Sequence, residues 1–153
     1  MVARPMNSIA QHSEPVWRSK SDFVLAAEVM GADSDLEQLA VRQLAPFQFE
    51  ICCIPFFLYG VSLGDVVETD DEYLLQNVIE RSGRYVFRVW FGETAYPRDQ
   101  IAHALTNLGG LLEWSSLNLL AVDAENPEVA TRISDFLTAA ASEEKLLFET
   151  GGS

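Results

Sequence analysis

Arg84-Tyr-Val-Phe-Arg-Val-Trp-Phe91 alternates Tyr85, Phe87, Val89 and Phe91 with Arg84, Val86, Arg88 and Trp90. Successive side chains of a strand point to opposite faces. The first set therefore predicts a sheet face lying under helices, and the second a face turned toward another layer. Downstream, Pro97 suits the first turn of a helix and Asp99 complements its dipole. Ile101, Leu105 and Leu108 fall on one stripe before Gly109-Gly110, which predicts a helix over 97–108. Leu111–Trp114 and Leu117–Asp123 read as two strands joined at Ser115-Ser116. Asn126 caps a second helix, with Pro127 and Glu128 in its first turn and Val129, Ile133, Phe136, Leu137 and Ala140 as its apolar stripe. Leu146–Glu149 supplies a short last strand. The order βαββαβ predicts a ferredoxin-like sandwich over residues 81–150. Leu117–Val122 is apolar on both faces, so the sheet face away from the helices must also be covered, and the N-terminal half is the expected cover.

That half reads as strands and turns. Phe23–Met30, Leu39–Leu44, Gln48–Ile54, Asp65–Thr69 and Tyr73–Glu80 are separated by Gly31, Pro46, Pro55, Gly60 and Gly64, which predicts a β-rich lobe over 21–80 built as a small barrel-like sheet. The class is α+β. Alternation in Gln48–Ile54 turns Cys53 to the core and Cys52 to the rim. Thr69-Asp-Asp-Glu72 predicts a polar hairpin turn, and Gly64-Asp65 a tight turn in which Asp65 accepts backbone hydrogen bonds. Residues 1–20 lack periodicity and read as a disordered tail, and 151–153 as a flexible end.

Composition limits what the protein does. The 153 residues carry ten Lys and Arg against 23 Asp and Glu, a net charge of −13, with 48% hydrophobic residues. A real core is available, whereas nucleic acid and anionic membranes would repel the chain. Arg4, Arg18 and Lys20 balance Glu14, Asp22 and Glu28, so the net charge falls on residues 31–153. The longest apolar stretches are too short to span a membrane and Met1–Ala10 has no apolar centre of a secretory signal, which points to the cytoplasm. Adjacent Cys52 and Cys53 suit reduced thiols better than a strained disulfide.

Three stretches carry a family resemblance: Ile54-Pro-Phe-Phe-Leu-Tyr-Gly-Val-Ser-Leu-Gly-Asp-Val-Val67, then Val78-Ile-Glu-Arg-Ser-Gly83, then Val86-Phe-Arg-Val89. Together they resemble the bacterial proteins of the domain of unknown function 4265, over about Asp22 to Glu149. Where members carry an aromatic, usually Trp, in the strand before the Pro-Phe segment, this chain has Leu39–Leu44. The resemblance implies a fold and a bacterial cytoplasmic setting rather than an activity.

Catalytic chemistry finds little support. His12 falls in the expected tail and His103 off the apolar stripe of the first helix, so both read as solvated and no histidine-based triad is expected. Cys52 beside Glu50, Phe49 and Ile51 reads as a structural thiol. Clustered metal ligands are missing, and Asp65, Glu68, Asp70, Asp71 and Glu72 lack the register of a calcium loop. Ser62, between Val61 and Leu63, precedes a strand and not a helix, which rejects a nucleophile elbow. The expectation is a protein without enzymatic activity and without cofactor or metal.

Two functions fit. The first is an acidic protein that neutralises a basic protein partner, as an immunity protein does, through Glu68, Asp70, Asp71, Glu72, Glu143 and Glu144. The second is a regulatory module holding a small anionic ligand on Arg81, Arg84 and Arg88, with Trp90 as a stacking wall at the seam between the lobes. Structural ion pairing is the competing account of those arginines. The edge strand Leu146–Glu149 leaves a homodimer open.

Overall fold

The computed structural model describes residues 9–29, 35–91 and 98–152. Among the described residues the chain folds as α+β, with two sheets and two α-helices. Strands β1 (Ile9–Ala10), β2 (Phe23–Glu28), β3 (Leu36–Ala45), β4 (Gln48–Ile51), β5 (Val66–Thr69) and β6 (Leu75–Glu80) form the first sheet, with a 3-10 turn at Arg18–Lys20. Its order is β1-β3-β4-β5-β6, with β2 also paired to β3. The second sheet contains β7 (Tyr85–Trp90), β8 (Leu111–Trp114), β9 (Leu119–Ala124) and β10 (Leu147–Gly152), in the order β10-β7-β9-β8 with every pair antiparallel. Helices α1 (Arg98–Asn107) and α2 (Pro127–Ser142) cover one face of it.

Alternation in β7 works as the sequence reading requires. Phe87, Val89 and Phe91 join Ile101, Leu105, Ile133 and Leu137 in the core under the helices. On the opposite face Val86, Leu119 and Ala121 meet Ile54 and Phe56, with Val16, Phe57 and Trp90 packed alongside. That cover is thus a loop and part of the N-terminal segment. The first sheet has its own core of Leu25, Leu39, Val41, Phe49, Ile51 and Val67.

Helix α2 begins as expected: Asn126 is extended, its side-chain oxygen accepts from the Val129 N–H at 2.9 Å, and Pro127 follows. Asn126→Ala should cost about 1 kcal/mol of stability, which denaturant titration would measure. The Asp65 turn also forms. Its carboxylate accepts from the backbone N–H of Ser62 at 2.9 Å and of Ser82 at 2.8 Å, and Gly64 supplies the left-handed φ of +83°.

Five expectations need correction. The first sheet is no closed barrel: an isolated parallel bridge joins Ala26 of β2 to Leu74, the residue before β6, and β2 and β6 are not paired as neighbouring strands, so the sheet curls without sealing. Residues 1–8 lie outside the described residues, but the rest of the expected tail is packed: β1 pairs with Leu36 and Glu37, and the Trp17 N–H donates to the Cys52 carbonyl. At the other end, Gly151 and Gly152 continue β10 opposite Val86 and Tyr85. The turn between β8 and β9 takes four residues, Ser115–Asn118, because Ser115 N–H bonds back to Leu119 and leaves Leu117 81% exposed. Cys52 is as buried as Cys53, because the N-terminal segment crosses the strand end that holds it. Pro97, the expected helix start, and Gly31 lie outside the described residues.

Candidate functional site

Glu37 sits in phase with Leu39 and Val41 on β3, so a two-residue period carries its carboxylate inside. Glu113 sits in phase with Leu111 on β8, on the face turned toward the first lobe. Their carboxylates meet one imidazole. His12 Nε2 donates to Glu37 Oε2 at 2.6 Å and Nδ1 donates to Glu113 Oε1 at 2.7 Å. The three side chains are 1%, 0% and 2% exposed for His12, Glu37 and Glu113. The imidazole lies flat on Phe56, with ring centroids 4.0 Å apart and 12° between the planes.

The loop after β4 closes over this cluster through its backbone. Glu37 accepts from the N–H groups of Phe56 at 2.7 Å, Phe57 at 2.9 Å and Leu58 at 2.9 Å. Glu113 Oε2 accepts from Ile54 N–H at 2.6 Å and Val16 N–H at 3.3 Å. Arg88 reaches the same loop from β7: Nε donates to the Phe56 carbonyl at 2.7 Å, Nη2 donates to the Leu58 carbonyl at 2.6 Å, and the guanidinium lies over Tyr59. Two cations and two carboxylates thus meet at the seam, with a third carboxylate, Glu149, 3.9 Å from Arg88. Burial of charge is costly unless each ion is paired and its remaining bonds are made, and here they are.

Protonation follows from this packing. Burial works against the His12 cation, but the hydrogen bonds to the Glu113 and Glu37 carboxylates outweigh it and hold the imidazole above its ordinary value. Glu37 is raised by burial and lowered more by His12 and the loop N–H groups, so its carboxyl ends below the ordinary value. Burial, with Glu50 adding to it, pushes the Cys52 thiol up to about 11, and burial raises Cys53 as well. Both cysteines are protonated thiols at neutral pH. With both ring nitrogens donating, His12 has no lone pair for a metal or for general-base work. Among the described residues no group of His, Cys, Asp and Glu is set to hold a metal ion.

The three arginines singled out by sequence do not converge. Arg84 grips buried Asp123, with Nε at 3.0 and 3.2 Å from its two oxygens and Nη2 at 2.6 Å from Oδ2. Arg81 is half exposed, donates to the Gly60 carbonyl at 2.9 Å and lies 3.9 Å from Asp65. Arg88 is 2% exposed and held by the loop. Trp90 is half-buried and lines a surface hollow of about 310 Å³ with Leu146 and Leu147. Two further hollows, of about 280 and 260 Å³, lie beside Thr131 and beside Trp114. None of the three is lined by Arg81, Arg84 or Arg88.

The acids fall in two turns. Glu68, Asp70, Asp71 and Glu72 belong to the β5–β6 hairpin, where Asp70 Oδ1 accepts from Glu72 and Leu74 N–H groups and Glu68 accepts from Asn77. Glu143 and Glu144 belong to the turn from α2 to β10, where Glu143 pairs with Lys145 at 2.6 Å. The centre that sequence reasoning missed is His12, Glu37 and Glu113. A signal existed for the two glutamates, each in phase with buried neighbours. None existed for His12, which stands between Gln11 and Ser13.

Comparison with known proteins places these features in context. The family model described as domain of unknown function (DUF4265) matches residues 37–148, which takes in Glu37, the loop and Glu113 and leaves His12 outside. A solved structure titled as a novel crystal structure of a hypothetical protein from Neisseria gonorrhoeae is similar at 19% sequence identity, with a TM-score of 0.69, over 82% of this chain and 91% of that one. At that identity the likeness speaks for the fold. No curated protein matches the sequence significantly. No helix among the described residues is long and apolar enough to cross a membrane.

Proposed function

Because the chain belongs to the family of the domain of unknown function 4265, whose description names no activity, we propose from its own surface that it is a non-enzymatic acidic protein that neutralises a basic protein partner, in the manner of an immunity protein. The observation that carries this reading is where the charges lie. Arg84 and Arg88 are held inside by Asp123 and the loop carbonyls. Asp71, Glu72, Glu125, Glu128, Asp135 and Glu144 stand exposed. Inside, Glu37, Glu113 and Asp123 offset these arginines and His12, so most of the net charge of −13 lies on the surface, and such a surface steers a cationic partner. The cytoplasm is the compartment in keeping with two free buried cysteines. We read the second lobe as a ferredoxin-like sandwich, supported by the sheet order β10-β7-β9-β8 and by both helices packing on one face. The anionic-ligand reading draws no comparable support, since Arg88 has 2% exposure and donates to two carbonyls.

The test is affinity capture from the source cell with the tagged chain at low and high salt, repeated with Asp71→Lys/Glu72→Lys. Asp70 is left intact because it holds the hairpin turn. A basic protein retained at low salt should bind the variant about tenfold more weakly. Equal retention by both chains would overturn the proposed contact surface.

A further inference from the structure

We infer that the two lobes together form a receptor for a planar nitrogen cation that donates hydrogen bonds from opposite edges, and that His12 is its built-in occupant. The reading is independent of the acidic-surface proposal. Its walls come from three places: Glu37 on β3, Glu113 on β8 and the ring of Phe56. The two carboxylates are positioned without help from the imidazole. Phe56, Phe57 and Leu58 N–H groups fix one, and Ile54 N–H fixes the other. Such fixed acceptors lose little freedom when a ligand arrives. The flat aromatic wall, 4.0 Å from the imidazole, suits a planar cation and not a tetrahedral one. Emptied of its cation, the receptor would hold two buried carboxylates with no positive partner between them, and that repulsion drives a replacement in.

The occupant is tied by a slender strap. Around His12, β1 contributes a two-residue parallel pairing, the Val16 N–H donates to Glu113 and the Trp17 N–H donates to the Cys52 carbonyl. The imidazole itself supplies both charge-assisted bonds to the carboxylates. The ligand class is an imidazolium, with a guanidinium as the nearest relative in shape and donor pattern.

The experiment is chemical rescue in the full chain. His12→Gly should melt well below the parent, and imidazole at slightly acid pH should restore about half or more of that loss in a saturable way. Butylammonium at equal ionic strength should restore little, and imidazole should leave the parent almost unmoved. Equal shifts for variant and parent, or equal rescue by butylammonium, would overturn the inference. If His12→Gly is unfolded alone, the same comparison is made on refolding from denaturant: recovery in imidazole supports the receptor, and recovery in neither or both additives overturns it.

Discussion

Glu37→Ala should lower stability by about 3–5 kcal/mol, the range for breaking a buried ion pair by removing one partner. That is a large fraction of the total stability of a domain. The carboxylate accepts from His12 and from three consecutive loop N–H groups. Alanine leaves those N–H groups buried without acceptors, each at a desolvation cost, and leaves the His12 cation with Glu113 alone. Glu37→Gln keeps the volume and one acceptor oxygen, so it should fall between alanine and the parent. Denaturant unfolding of the three chains checks the order. A Glu37→Ala chain as stable as the parent would show that the cluster contributes nothing to folding.

Stability should also fall as pH rises from 6.5 to 8.5, by about 1.4 kcal/mol per unit for one linked proton. The sign follows from His12. Its folded pKa, held up by the two carboxylates, lies above the ordinary 6.5, so its contribution is complete below 6.5 and is lost as pH rises toward the folded value. Glu37 gives the acid limb. Its folded pKa lies below the ordinary 4.5, so its contribution is present above 4.5 and is lost as pH falls through the folded value. Maximum stability therefore lies in mildly acid solution. The groups facing the imidazole are Glu37, Glu113 and Cys53, with Arg88 on the other side of the loop. Asp123, raised by burial, acts in the opposite sense to Glu37, and Cys52, raised to about 11, adds its own loss above 9.0. Both remain in His12→Gln, so the difference between parent and variant across pH 6.5–8.5 reports the imidazole together with the two carboxylates it keeps ionised. Parallel pH profiles would remove it as the linked group.

Much of the fold was legible because it rests on local periodicity. The alternation of Tyr85–Trp90, the Asn126-Pro127 start of α2 and the Asp65 turn each need only neighbouring residues. The seam was not legible, because its determinants lie far apart: His12 and Glu113 are 101 positions apart and His12 and Glu37 are 25 apart. The clue within reach was a charged residue in phase with an apolar face. Glu37 beside Leu39 and Val41 marks a buried acid, and a buried acid requires a donor. The arginines stood out as a group because they follow one another in sequence at 81, 84 and 88. In space each answers to a different partner: Gly60 and Asp65, Asp123, and the Phe56–Leu58 carbonyls.

The strap sets an order of events in folding. Residues near the amino terminus leave the ribosome first, yet His12 has no complete partner set until Glu113 on β8 has been made. Loop-closure entropy and the cost of desolvating ions both favour bringing local strands together before so distant a contact. Docking of the imidazole is then expected after the transition state. Substitutions at His12 should consequently accelerate unfolding far more than they slow refolding, so the strap governs how long the native state persists rather than how quickly it is reached.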